Sequence, residues 1–320
     1  MWYAVKPLRF VCWLPALVAC ASLASSVRAD ESKTLRWKFV KGETSHYVLE
    51  QDVVQEATSD EQSSKTTVKQ TFDVTWKVNS VDDQGVAELT RTVERVRINA
   101  EGPPEAGPPV AFDSSKKGMD PRMVESFKPL LKQPFVMKID PQGVISDVKV
   151  PDSTKEALKG PPAPNGASTE DAFKEMLAAD TVEFPAKGLT RGSHWQHTSE
   201  TQMPFGKQKV TTTYTYAGPA KHEGHELDKI DMKVHMELLD ADRGAKGRPE
   251  PKPKIVSQES GGVIYFDGEK GRLVSSQMKN TVETEVTQGD KKFTETVNST
   301  MLVKLVSDDH HAAENVDAAE

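Results

Sequence analysis

Long runs in which apolar and polar residues strictly alternate dominate this chain. A period of two suits a half-buried β-strand and little else. From Thr66 to Asn79, Val68, Phe72, Val74, Trp76 and Val78 point one way, with Gln70 as the single polar break. Thr67, Lys69, Thr71, Asp73, Thr75 and Lys77 point the other way. Ile230, Met232, Val234, Met236 and Leu238 alternate with Asp231, Lys233, His235 and Glu237. Phe293, Val297, Met301, Val303 and Leu305 alternate with Thr294, Thr296, Asn298, Thr300 and Lys304. One buried face and one wet face predict antiparallel sheets. The many threonines suit a solvated β surface.

Turn residues punctuate these runs. Lys41-Gly42-Glu43 separates a strand at Leu35–Val40 from one at Ser45–Glu56. Asp82-Asp83-Gln84-Gly85 closes a hairpin onto Val86–Asn99. Pro141-Gln142-Gly143 joins Phe135–Asp140 to Val144–Val150, and Gly268–Gly271 joins Val263–Asp267 to Arg272–Thr287. Gln288-Gly289-Asp290 leads on to Lys292–Val306. Gly, Asn and Asp supply the backbone conformations that tight hairpins need. Two or three short helices are predicted, at Pro121–Lys132, Asp152–Leu158 and Thr169–Ala179, each with an apolar stripe that reads as core packing.

Two segments repeat. Phe135–Lys149 and Gly262–Ser276 both read strand, Asp, turn, Gly, strand. Upstream, Lys41–Tyr47 resembles Arg191–Trp195. The spacing is far longer than a solenoid repeat, so it predicts two similar β lobes. The expected fold is mainly β, with antiparallel sheets in two lobes built as a sandwich or half-barrel. Whether the lobes share one continuous sheet or form two sandwiches is left open by the pattern. The expected layout is a signal peptide at 1–29, an N-terminal β lobe at 30–150, a helical linker at 151–190, a C-terminal β lobe at 191–306, and a disordered acidic tail at 307–320.

The first thirty residues read as an export signal. Lys6 and Arg9 precede an apolar run from Phe10 to Leu23, and Val27-Arg28-Ala29 offers small residues for cleavage before Asp30. An alternative cut is a lipobox, Leu17-Val18-Ala19-Cys20, which makes Cys20 a lipidated N-terminus. Either implies an exported protein, periplasmic or extracellular, with a lipid anchor as its one route to a membrane. With Lys6, Arg9 and Arg28 removed, 38 basic residues face 48 acidic ones, a net charge of −10. That balance argues against nucleic acid as a partner. Both cysteines, Cys12 and Cys20, lie in the signal region, so no disulfide, thiol nucleophile or Cys-based zinc site is expected beyond it.

Catalytic grammar is sparse. The chain lacks a Gly-x-Ser-x-Gly elbow, a phosphate-binding Gly-rich loop and a His-Glu-x-x-His helix. Ser114-Ser115-Lys116-Lys117 contains Ser-x-x-Lys but sits in a Pro/Gly-rich loop. His194 and His197, three apart in a strand, face opposite sides. His222 and His225 flank Gly224, where a turn brings them together beside Glu223 and Glu226. Asp140 and Asp267 fall at equivalent corners, where Asp ordinarily caps its own backbone. Glu101–Val110 is a proline-rich surface connector with a polyproline II reading as its alternative. No catalytic residue, metal ligand or cofactor is assigned.

The run Leu35–Thr44 (Leu-Arg-Trp-Lys-Phe-Val-Lys-Gly-Glu-Thr), taken with Gly262–Ser276, resembles the uncharacterised exported β-rich proteins of planctomycete-type bacteria. The resemblance spans most of 34–306. It implies export and a β-rich domain, and it transfers no mechanism. The leading expectation is therefore a non-enzymatic binding protein of the cell envelope, taking a small apolar ligand or an envelope component. The specific alternatives are a lipid or lipoprotein carrier, a structural assembly protein, and a hydrolase with a site assembled from dispersed residues.

Overall fold

The computed structural model describes residues 32–59, 62–157, 181–203, 206–239, 252–288 and 291–306. Twelve strands form one antiparallel sheet: β1 Thr44–Ser59, β2 Ser63–Val81, β3 Ala87–Glu101, β4 Val110–Asp113, β5 Phe135–Ile139, β6 Ile145–Lys149, β7 His194–Met203, β8 Gly206–His222, β9 His225–Leu239, β10 Lys252–Asp267, β11 Arg272–Gln288 and β12 Lys291–Val306. Their order is β6-β5-β3-β2-β1-β12-β11-β10-β9-β8-β7, with β4 paired to β3. Each half is a meander, except that β4 and β5 both pair with β3 rather than with each other. The halves meet at β1 and β12, which pair from His46↔Val306 to Ser59↔Phe293. Of the two arrangements that the pattern left open, one continuous sheet is the one found, because each meander's terminal strand is the other's hydrogen-bonding neighbour.

The sequence repeat has a counterpart in backbone bonding. The Gly42 N–H donates to Val78 O and the Val78 N–H to Glu43 O; the Gly192 N–H donates to Tyr216 O and the Tyr216 N–H to Ser193 O, all at 2.8–2.9 Å. At the β5–β6 corner, Asp140 Oδ1 accepts from the Gln142 and Val144 N–H groups. At the β10–β11 corner, Asp267 Oδ1 accepts from Glu269 and Lys270. Both aspartates thus cap their own turns, as their position in sequence implied.

Leu35–Val40 differs from its sequence reading. It is extended but belongs to no sheet. Its hydrogen bonds go to the two repeated corners: the Trp37 N–H donates to Pro141 O, and the Lys38 N–H to Gly271 O. Gly143 and Gly271 have positive φ, and a Cβ on either would collide with this strap: with Trp37 and Val182 O at Gly143, and with Lys38 at Gly271. Glycine is needed there for close approach as well as for backbone conformation.

A second irregular run, 181–189, lies beside the strap. Lys33 and Leu189 exchange backbone bonds at 2.8 Å, and Trp37 Nε1 donates to Val182 O at 2.9 Å. Beneath them lies the main core, with Leu35, Trp37, Tyr47, Phe184, Tyr216, Ile230, Ile264 and Phe266 all buried. The Trp37 ring meets Phe266 edge-on at 5.3 Å, and Phe184 meets Phe266 at 4.7 Å. Tyr47 is fully enclosed and donates to Leu273 O; desolvation holds its phenol well above the usual range. Lys33 also reaches Asp228, a carboxylate 1% exposed, at 2.7 Å, and Tyr216 OH donates to the same group.

Two smaller clusters complete the interior. One joins Val78, Leu89, Phe135, Met137 and Ile139 at the β3–β5 corner. The other places α1 (Pro121–Phe127) over β2, β3 and β4 through Met123, Phe127 and Phe112. This helix stops short of the expected Lys132, as Pro129 requires. α2 covers Asp152–Ala157. The expected signal peptide, the Thr169–Ala179 helix and the acidic tail lie outside the described residues. The proline-rich segment is not a free loop: after a 3₁₀ turn at Pro104–Ala106 it returns as β4 along β3. Arg95 clamps Asp113 at the end of β4 through two bonds, at 3.0 and 2.8 Å.

Two predictions follow from this packing. Trp37→Ala removes the ring on which strap, corner and core converge, and should cost about 3–5 kcal/mol in urea unfolding. The Arg95 hydrogen bonds, followed by those of Ser115, hold the Asp113 carboxyl well below the ordinary range near ~3.9. Its stabilisation is complete above pH ~4 and is lost as pH falls further toward the depressed folded value. Asp113→Asn should therefore cost about 1.5–3 kcal/mol at pH 7 and progressively less in acid, read from the pH dependence of the unfolding midpoint.

Candidate functional site

The register divides the sheet into two unlike faces. On the apolar face, successive rows cross the strands. The row Leu49, Val303, Ser276, Ile264, Ile230 and Tyr216 lies at the main core. The next row reads Gln51, Met301, Met278, Gly262, Met232, Tyr214 and Trp195. Farther out, Val297, Val282, Val234, Met236, Leu238 and Val210 continue the same face. Met301, Met278, Val297, Val282, Val234, Met236 and Leu238 are half-buried, and none packs against the three buried clusters of the described residues. Gly262 and Ser260 put small residues along β10 between the methionine and valine walls of β9 and β11. The result is a face of apolar side chains interrupted by Ser299, Asn280, Ser260 and Gln258. Methionines give it adaptable, polarizable contacts.

The opposite face is polar, and the β8–β9 turn bends over it. Register partners Tyr216 and Ile230 are followed by a bulge before Gly218↔Lys229, and Gly218 has φ of 92°. Beyond it the hairpin tip curls across β10 and β11. His222 stacks on Tyr265 at 3.8 Å between centroids, and Glu223 reaches Lys304 on β12 at 2.6 Å. Ser275 becomes buried under this tip. A cleft of about 1050 Å³ remains between the tip and β1, β11 and β12. Its floor includes Val48, Leu302 and Val306, and its polar rim His46, Glu50, His225, Glu226, Arg272 and Lys304. His46 Nδ1 lies 3.2 Å from Thr75 Oγ1, and Arg272 is 3.5 Å from Glu43.

The sequence candidates can be placed directly. His222 and His225 are register partners across Glu223-Gly224, as expected. Their rings part, one stacking on Tyr265 and the other lining the cleft. Among the described residues no group of three His, Cys, Asp or Glu side chains is arranged to hold a metal ion. His197 lies 3.1 Å from Glu183 on the rim of the core, while His194 is on the other face. Ser114 and Ser115 are turn elements: Ser114 Oγ accepts from the Val96 N–H, and Ser115 Oγ donates to Asp113. Cys20 lies outside the described residues. No helix of the described residues is long and apolar enough to cross a membrane.

Sequence reading missed the polar cleft, because its roof depends on a contact between residues 223 and 304. It also missed the close approach of β9 and β11 to β10, for which Gly261-Gly262 inside a strand was the available signal.

No protein-family model and no curated protein matches this chain. Among solved structures, a lipovitellin structure described for its lipid–protein interactions aligns with 84% of the chain at 10% identity and a TM-score of 0.47. The chain covers 26% of that protein. DynF from the dynemicin biosynthesis pathway of Micromonospora chersina aligns at 6% identity, covering 87% of this chain and 88% of that one, with a TM-score of 0.23. A DUF1329 family protein from Desulfovibrio piger aligns at 9% identity, covering 82% and 88%, with a TM-score of 0.14. With scores this low, none of the three establishes a shared fold.

Glu223 is held ionised chiefly by its hydrogen bond from Lys304, which lowers its pKa. A depressed carboxyl keeps its contact above the ordinary glutamate range and loses it as pH falls through the folded value. Amide protection across 222–226, taken relative to the intrinsic exchange rate at each pH, should therefore fall in acid, and Lys304→Ala should lower it in the same way at pH 7.

Proposed function

We propose that this is an exported, non-enzymatic binding protein whose ligand is apolar or amphipathic, such as a lipid or the acyl part of a lipoprotein. The observation that carries this reading is the half-buried row of methionine, valine and leucine side chains on β8–β12, beyond the strap. Half-buried apolar side chains are costly to leave in water at ~25 cal/mol per Å², and groups of them on a folded protein's surface often mark an interaction site. The signal-like sequence at 1–29 supports export. Cys20, if lipidated, would tether the domain to a membrane from which an apolar ligand is drawn.

The test is direct. The mature protein, purified without detergent, is titrated with 1-anilinonaphthalene-8-sulfonate and then with oleate, and lipids are extracted from the native protein for mass spectrometry. Saturable dye binding displaced by oleate is expected, weakened about tenfold or more by Met278→Asp combined with Met301→Asp. Met278 and Met301 are cross-strand partners, so the paired charges repel, and the variant's circular dichroism and unfolding midpoint are measured alongside to separate lost binding from lost fold. An absence of saturable binding together with an empty lipid extract would reject the reading.

A further inference from the structure

Strands β9 and β10 are neighbours for only part of their length. Their register runs from Asp228↔Phe266 to Lys233↔Gly261 and ends there. Both strands continue, β9 to Leu239 on its pairing with β8, and β10 back to Lys252 on its pairing with β11. The sheet therefore forks at Gly261. Past the fork, the backbone edges of Val234–Leu239 and Lys252–Ser260 face each other without a ladder. Unpaired edges of this kind are templates for another strand.

One side chain spans the fork. Gln258 Oε1 accepts from the Met236 N–H at 2.8 Å, and Gln258 Nε2 donates to Met236 O at 2.9 Å. A primary amide offers a donor and an acceptor to a single residue's C=O and N–H, as the opposing residue of an adjacent antiparallel strand would. Gln258 thus occupies the place of a missing strand's backbone.

We infer that the β9–β10 fork is an insertion site for an extended segment of another polypeptide, which displaces Gln258 and hydrogen-bonds to both edges at once. A strand needs neighbours about 4.8 Å away on each side, so insertion widens the fork, and the missing ladder past Gly261 permits this. The flanking strands define the partner. Val234, Met236 and Ile255 continue the apolar face, and Lys233, His235 and Lys254 the polar one. The inserted segment alternates apolar and polar residues in phase with them. This site uses main-chain recognition, and although Val234 and Met236 also belong to the apolar face, backbone methylation of a probe blocks edge pairing without changing its side chains.

The probe is a capped octapeptide of alternating threonine and valine, titrated into the mature protein by fluorescence anisotropy. Two further versions carry N-methyl groups on the threonines alone or on the valines alone. In an extended strand these block opposite edges. Insertion needs both edges, so each N-methylated peptide should bind at least tenfold more weakly. Gln258→Ala should tighten binding of the unmodified peptide about tenfold, because no internal bonds need be displaced. Hydrogen exchange should show protection gained at Val234 and Leu238, on the edge of β9 that Met236 shares, and in the 252–260 segment. If either N-methylated peptide binds as well as the parent, the peptide has joined a one-sided edge such as β7, and the inference fails. An absence of binding at millimolar peptide to both the native protein and Gln258→Ala overturns it equally.

Discussion

The pairing of β1 with β12 is the constraint on which everything else rests. These strands come from opposite ends of the described chain and zip together along almost their whole length. Closing so long a loop costs conformational entropy that no local contact offsets. The ladder itself, with Tyr47 against Leu305 and Leu49 against Val303, supplies the offset. Once formed, it makes two meanders into one sheet and sets every cross-strand row in phase. The other strand neighbours are close in sequence, the longest connection being from β3 to β5 through β4 and α1. Folding is therefore expected to be local within each half and slow at the central seam.

The strap at Lys33–Phe39 depends on that seam. It is anchored to the β5–β6 corner in one half and the β10–β11 corner in the other. Those corners reach a single strap only because the sheet is continuous between them. Trp37 then has hydrogen-bond partners from both sides and aromatic neighbours on β2 and β10. The same geometry covers one end of the apolar face and leaves the remainder half-buried. The candidate binding surface is thus what the strap and α1 do not cover.

Among the irregularities of the sheet, those at Gly218, at Gly261 and at the two corner glycines have recognisable causes. The bulge before Gly218 bends the β8–β9 tip over the polar face and creates a cleft. Gly261 marks where β9 and β10 part. Gly143 and Gly271 admit the strap. Sheets commonly place bulges and glycines where a ligand or another backbone approaches closely. Function on this scaffold is accordingly sought at the irregularities and at the open face.

The sequence by itself determined the strands, their faces and most of their turns. A period of two and an Asp or Gly at a corner are local properties, readable without knowing any neighbour. It also showed the repeat, because matching turns need matching residues. What only the tertiary structure decided is which strands meet over long distances. Nothing in Tyr47 or Leu305 names the other as partner, since an alternating strand pairs acceptably with many others. The reading of Leu35–Val40 as a strand failed for the same reason: its pattern is extended and apolar, but its hydrogen bonds lie in two distant corners. The His222–Tyr265 stack, the Glu223–Lys304 clip and the fork bridged by Gln258 belong to this class too. Each depends on how far the sheet bends or splits, and that is set by the sum of all its pairings rather than by any one segment.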